Sequence, residues 1–408
     1  MIREFYLHNG LHVVYEPMEQ VRTMSFGVWV QVGSAYETKE NNGISHVIEH
    51  MLFKGTDIRT AGDIADETAA LGGNLNAYTG KEYTAYYLKT LDDQLEPSMD
   101  LISDMLKASA FREEQLATEK QVVIDEISMY NDSCEDMVHE KLQKKVWKNH
   151  PLGYIISGKK RTVRAFTRQE IMDFWRTYYT AGRMLICAAG HIDEAGFQDQ
   201  LERYFGDIPS GRQGNELTVP VYGVKHFRRF REIEQVHLDI AMPGLTVDAP
   251  ERYAFSLANS ILGGSVSSRL FQKIREEEGR AYSIYSYGSN FCKAGLWQIY
   301  AATNAGQLDL AMEDTFSLIR QMKKEGVTPV ELTQAKRELR AEVILGNESP
   351  QARMDNLAKS VLCYGRVISP EETLAGLARV TEADISAFME QWADVEQASV
   401  CIMGNYEG

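Results

Sequence analysis

The chain has 408 residues, 44% of them hydrophobic and 25% charged, with a formal net charge of −15. This is a globular composition with length for two cores. Its acidity excludes a general nucleic-acid-binding role and is compatible with cationic peptide substrates. The 5 cysteines, Cys134, Cys187, Cys292, Cys363 and Cys401, are scattered without C-x-x-C pairs, which argues against a disulfide framework or a thiolate zinc site.

In chain order, MIREFYLHNGLHVVYEP reads directly as strand, turn and strand, with no secretion signal or transit segment. No stretch approaches the roughly 18 apolar residues of a membrane span. A cytoplasmic protein is expected. MSFGVWVQVGSAYE follows as an alternating strand, and after it ISHVIEHML, residues 44 to 52, reads as a helix.

On that helix, at roughly 100° per residue, His50 lies about 40° from His46 and Glu49 about 60° to the other side. Val47, Ile48, Met51 and Leu52 fill the opposite half. Two imidazoles one turn apart can converge on one Zn²⁺, and the carboxylate between them is placed to handle a proton from water at the metal. The order is H-x-x-E-H, the inverse of the commoner zinc-protease motif, and the inversion keeps all three groups on one face.

A catalytic zinc site wants three protein ligands and an open position. EEQLATEKQVVIDEISMY, residues 113 to 130, is helical in pattern and carries Glu119 and Glu126 two turns apart on nearly one face. Either could reach a metal from a neighbouring helix, and spacing alone does not choose between them.

The second half of the chain echoes the first at an offset near 214 residues. QLEPSMDLISDML before the glutamate helix corresponds to QLDLAMEDTFSLI before VELTQAKRELRAEVI. Residues 164–193 correspond to 378–407, each a helix leading into an apolar strand. Strands such as EYTAYYLKTL and GLWQIYAATN alternate with long helices. The expected fold is therefore α+β, a largely antiparallel sheet packed with helices and used twice. Domains over 1–212 and 218–408 are expected, joined by SGRQGNEL. The second half has no histidine helix; Gly263 and Gly264 occupy roughly its place, and without G-K-[ST] they read as a loop or a tight approach rather than a phosphate cradle. The runs Glu276 to Glu278 and Lys159 to Arg161 read as solvated surface.

GISHVIEHMLFKGT, GGNLNAYTGKEYTAYY, the glutamate helix and SSRLFQKIREEEGRAYSIYS occur in this order. Together they resemble the pitrilysin/insulinase zinc metallopeptidases, in the processing-peptidase branch and the bacterial single-chain form. The resemblance spans nearly the whole chain. It implies a zinc endopeptidase with His46, His50 and Glu126 as metal ligands, Glu49 as catalytic base and Glu119 as a supporting carboxylate behind the ligands. It further implies that Arg275 and Tyr282 contact substrate or transition state from the second domain. Asn76 and Ala77 would lie on an edge strand that takes an extended peptide as an added strand. Larger relatives carry four such domains forming two halves around a chamber. This chain resembles one half, so a homodimer is implied, acting on short or unstructured peptides. The alternatives are a processing peptidase with a distinct metal-free partner, a structural subunit, and a peptide-binding module that does not cut.

Overall fold

The computed structural model describes residues 2–406. Two compact units form, each with its own sheet and helices. The first contains β1 (Arg3–Tyr6), β2 (His12–Pro17), β3 (Thr23–Val30), β4 (Asn74–Thr79), β5 (Thr84–Leu91) and β6 (Met184–Gly190). Their spatial order is β1-β2-β6-β3-β5-β4, antiparallel throughout except for the parallel β2–β6 pair. The second contains β7 (His226–Phe230), β8 (Val236–Gly244), β9 (Ser283–Asn290), β10 (Gly295–Thr303) and β11 (Ser399–Gly404). Its order is β7-β11-β8-β10-β9, again with one parallel pair, β7–β11. The same wiring thus appears twice, as the internal repeat leads one to expect.

The period-2 alternation of the strands divides side chains between two faces. In the first sheet Val13, Met24, Phe26, Val28, Tyr86, Leu88 and Ile186 point into the main core. Val47, Ile48, Met51 and Leu52 of the histidine helix enter the same core, each no more than 1% exposed. Burial of each such side chain contributes about 1.5–3 kcal/mol, so the apolar half of this helix fixes which way its polar face looks.

The opposite face of the first sheet, with Val14, Trp29, Ala85, Leu185 and Cys187, is covered by Met354, Leu357 and Ala358 of the Pro350–Tyr364 helix. That helix comes from the second half of the sequence. Reciprocally, the Cys134–Val146 helix packs on β8 and β11 of the second sheet. This interface is polar: His139 Nδ1 lies 3.0 Å from the buried Asp239 Oδ2 and 2.6 Å from the Tyr287 hydroxyl. Gln298 Nε2 donates to Asp239 Oδ2 at 2.9 Å.

Because of this exchange the first unit comprises Met1–Ser128, Tyr154–Leu217 and Gly346–Val367, and the second Met129–Gly153, Thr218–Leu345 and Ile368–Gly408. These differ from the contiguous domains 1–212 and 218–408 expected from the sequence. The physical reason is that the outer face of each sheet is covered by a helix from the other half. Residue 1 and residues 407–408 of those ranges lie outside the described residues. None of the 5 cysteines is in a disulfide. Among the described residues, no helix is long and apolar enough to cross a membrane.

Candidate metal centre

The histidine helix, Ile44–Leu52, begins at Gly43, whose φ of 101° lies in the left-handed region. A Cβ at Gly43 would sit 2.9 Å from both Gly158 Cα and Ser157 O, so two backbones meet there as well. The buried Glu37 carboxylate anchors this start. It accepts from Asn42 Nδ2 at 2.9 Å, from the Gly43 N–H at 2.8 Å and from the Ser45 N–H at 2.9 Å. Amides in the first turn lack intrahelical partners and favour negative charge. Burial raises the Glu37 pKa, and these donors pull it back down.

One turn apart, the His46 and His50 rings stand edge to face with centroids 4.7 Å apart. Both Nε2 atoms look at one atom of the Glu113–Asp132 helix, Glu126 Oε2, at 3.8 Å from His46 and 3.5 Å from His50. One donor atom from each of the three residues lies within 4.8 Å of the others. Among the described residues this is the one such group of His, Cys, Asp and Glu.

The donor set fits Zn²⁺. With metal–ligand lengths of about 2.0–2.1 Å and tetrahedral angles, ligand atoms should lie about 3.3–3.4 Å apart. The two nitrogen-to-Glu126 separations, 3.5 and 3.8 Å, are at most a few tenths of an ångström longer, and at 3.8 Å the His46 pair is beyond hydrogen-bond range. Burial first, and His50 second, drop the His46 pKa to about 4. Its imidazole is therefore neutral at neutral pH, as a metal ligand must be.

Glu119, one of the two glutamates that spacing left open, is 4% exposed. Its Oε2 lies 3.2 Å from His50 Nδ1 and its Oε1 2.9 Å from Lys54 Nζ. Nδ1–H donation to this carboxylate leaves the His50 Nε2 lone pair facing Glu126. Glu126 itself keeps a third of its side-chain surface open to solvent. The two carboxylates thus occupy different positions, one behind the imidazole and one beside its metal-facing nitrogen.

Glu49 projects from the same helix face, and its Oε2 accepts from Thr79 Oγ1 at 2.5 Å. Burial raises its pKa; the Thr79 hydroxyl and His50 act in the opposite sense. Deeper in the core the Tyr86 and Tyr179 hydroxyls bond each other at 2.7 Å. Burial pushes both phenols well up, and the Glu49 charge adds to the effect.

Asn76 and Ala77 lie on β4, the outer strand of its sheet, opposite Tyr87 and Tyr86. The Ala77 N–H bonds the Asn76 Oδ1 at 2.8 Å, so it is turned away from β5 toward the open edge. In the second unit, Arg275 stacks over Phe271 at 4.8 Å and Tyr282 is 60% exposed just ahead of β9.

The sequence reading missed Glu37, Lys54, Thr79 and the Tyr86–Tyr179 pair. Lys54 had a signal, since it stands eight residues after His46 and four after His50. Thr79 had one only once β4 was placed: it shares a strand face with Ala77.

Comparison with known proteins agrees over the chain. Residues 12–160 match the family model for insulinase (peptidase family M16), and residues 165–339 match the model for the peptidase M16 inactive domain. A protein named uncharacterized zinc protease YmxG, from Bacillus subtilis, is 37% identical over 96% of this chain and 95% of its own length. An uncharacterized zinc protease of Rickettsia felis is 35% identical over 93% of this chain and 92% of its own. Two solved structures share the fold. A peptidase M16 inactive domain from Pseudomonas fluorescens has a TM-score of 0.93 at 21% identity, covering 100% of this chain and 99% of that one. A protease from Helicobacter pylori has a TM-score of 0.92 at 19% identity, covering 99% of each chain. The match of both family models in order, with relatives above 30% identity along nearly the full length, shows that the chain belongs to peptidase family M16, the insulinase family.

Proposed function

We propose that the protein is a zinc-dependent endopeptidase that cleaves short or unstructured peptides, with His46, His50 and Glu126 holding the metal. The observation that carries this reading is the convergence of two imidazole nitrogens and one carboxylate oxygen, with a second carboxylate, Glu49, on the same helix face. The names of the relatives as zinc proteases support it. Zn²⁺, when bound, supplies Lewis acidity toward a peptide carbonyl and acidifies water near neutral pH.

The chain's own residues do the rest. Glu49 takes a proton from the attacking water at a carboxylate oxygen and returns it to the departing amine nitrogen. Glu119 holds the His50 ring in the tautomer that presents Nε2. Asn76 and Ala77 receive the substrate backbone along the open edge of β4. Strand addition needs free backbone N–H and C=O groups on the substrate, which folded segments do not offer, so extended peptides are selected. The net charge of −15 favours approach of cationic ones.

Arg275 and Tyr282 are assigned substrate contacts from the second unit of another copy in a homodimer. Mixing Glu49→Gln protein with Tyr282→Phe protein tests that assignment: activity above either parent supports shared sites, and none refutes them.

The main test pairs metal analysis with cleavage of an unstructured basic peptide before and after chelation. Activity should vanish on chelation and return with Zn²⁺. Glu49→Gln should keep bound zinc and lose turnover, whereas Glu126→Ala should lose both. Equal zinc content in these two variants, or turnover that survives chelation, overturns the reading.

A further inference from the structure

We infer that Thr79 is a positioning residue for Glu49, its hydroxyl fixing one carboxylate oxygen so that the other faces the substrate. The inference rests on the proposed role of Glu49 as base and adds a residue from another element. The contact of 2.5 Å between Thr79 Oγ1 and Glu49 Oε2 falls in the range of charge-assisted O–H···O⁻ bonds, which are about twice as strong as neutral ones. A glutamate side chain has three torsions and loses substantial rotamer entropy when held. On this helix its other polar neighbours are the two imidazoles, which face Glu126. Thr79 therefore holds Glu49 in one conformation through its hydroxyl, with its backbone N–H beside it, and the hydroxyl is the donor that a side-chain substitution removes.

The position of Thr79 matters as much as its hydroxyl. It is the last residue of β4 and shares its strand phase with Ala77. The Gly80 N–H bonds Tyr83 O at 2.8 Å, closing the hairpin as a hydrogen-bonded pair. Alternation along an antiparallel ladder then turns the backbone groups of Thr79 and Ala77 away from β5 and those of Tyr78 and Asn76 toward it. The open edge thus presents Ala77 to an incoming peptide and ends at Thr79, which is engaged by Glu49. The strand that receives substrate also carries the residue that aims the base. A peptide ordered on β4 is delivered in a fixed relation to the carboxylate.

This arrangement separates the effect of Thr79 on turnover from any effect on substrate affinity. Thr79→Val keeps the β-branched shape and removes the donor; Thr79→Ser keeps the donor. With a fluorogenic unstructured basic peptide, Thr79→Val should lower kcat by about 10- to 100-fold, the loss expected for one hydrogen bond to a charged group. KM and zinc content should stay within about twofold, and Thr79→Ser should recover most of kcat. Peptide affinity measured in the Glu49→Gln background should be the same with and without Thr79→Val.

Wild-type kcat in Thr79→Val while Glu49→Gln is inactive overturns the inference and leaves the endopeptidase reading intact. So does serine no better than valine, or a fall in peptide affinity in the Glu49→Gln background. Full activity in Glu49→Gln overturns the reading of Glu49 as base, and the inference with it. Should valine at position 79 fold poorly, Thr79→Ala, which also lacks the donor, takes its place in both the kinetic comparison with serine and the Glu49→Gln binding pair.

Discussion

His50 Nδ1 and Lys54 Nζ share one carboxylate, that of Glu119, at 3.2 and 2.9 Å. In the proposed site this buried carboxylate holds His50 Nδ1 and so leaves Nε2 for the metal. Supporting carboxylates of this kind typically contribute 10- to 100-fold to metal affinity. Glu119→Ala should weaken zinc binding by about that factor in a chelator competition titration, with a smaller loss for Glu119→Gln. Unchanged zinc affinity in both variants would show that Glu119 serves only the fold.

Acid should destabilise the metal-free protein through His46. Its folded pKa, about 4, lies below the ordinary value of about 6.5, so the unfolded chain takes up the proton first. Stability is therefore complete above pH 6.5 and is lost as pH falls toward 4, by on the order of 3 kcal/mol from this group. Melting curves of zinc-free wild type and His46→Gln across pH 7 to 4 check this. The variant should show the shallower pH dependence, and parallel curves would refute the assignment.

Glu37 stabilises the start of the histidine helix through three hydrogen bonds made in the interior. Glu37→Ala leaves the Gly43 and Ser45 amides buried without their acceptor, and should cost roughly 1–3 kcal/mol for each. Denaturant unfolding of the zinc-free protein measures it. A loss under about 0.5 kcal/mol, the range of ordinary surface substitutions, would mean that water replaces the carboxylate.

If peptides add to β4 as a strand, their backbone amides should matter with a period of two. N-methylation of alternate peptide nitrogens should weaken binding to Glu49→Gln protein by about 2- to 10-fold per methylated donor. Methylation of the intervening positions should have little effect. A scan without alternation would exclude the edge as the receiving surface.

Much of the site was legible locally. The H-x-x-E-H face needs only helix periodicity, and the apolar half that buries it is written in the same nine residues. The sheet, its near-antiparallel wiring and the repeat followed from alternation and internal similarity. The choice between Glu119 and Glu126 was not legible from spacing, because both lie on one face of one helix. Lys54 and His50 distinguish them in space. Thr79 escaped because its contact with Glu49 spans 30 residues and depends on how β4 meets the helix. The exchange of helices escaped because an amphipathic segment does not declare which sheet it will cover. Arg275 and Tyr282 carry no signal of their own beyond the resemblance, and both lie at exposed positions of the second unit.

The reciprocal exchange has a consequence for the integrity of the polypeptide. Either half, expressed alone after scission near Leu217, would leave one sheet surface bare, apolar in the first half and polar in the second, and one orphan arm without a seat. The two seats also differ in chemistry: Asp239 would lose its imidazole if the arms reverted to their own halves, since Met354, Leu357 and Ala358 offer it no donor. Stranding such a polar group in the interior is costly. The halves are therefore mutual chaperones, each completing the other's fold and each refusing its own arm.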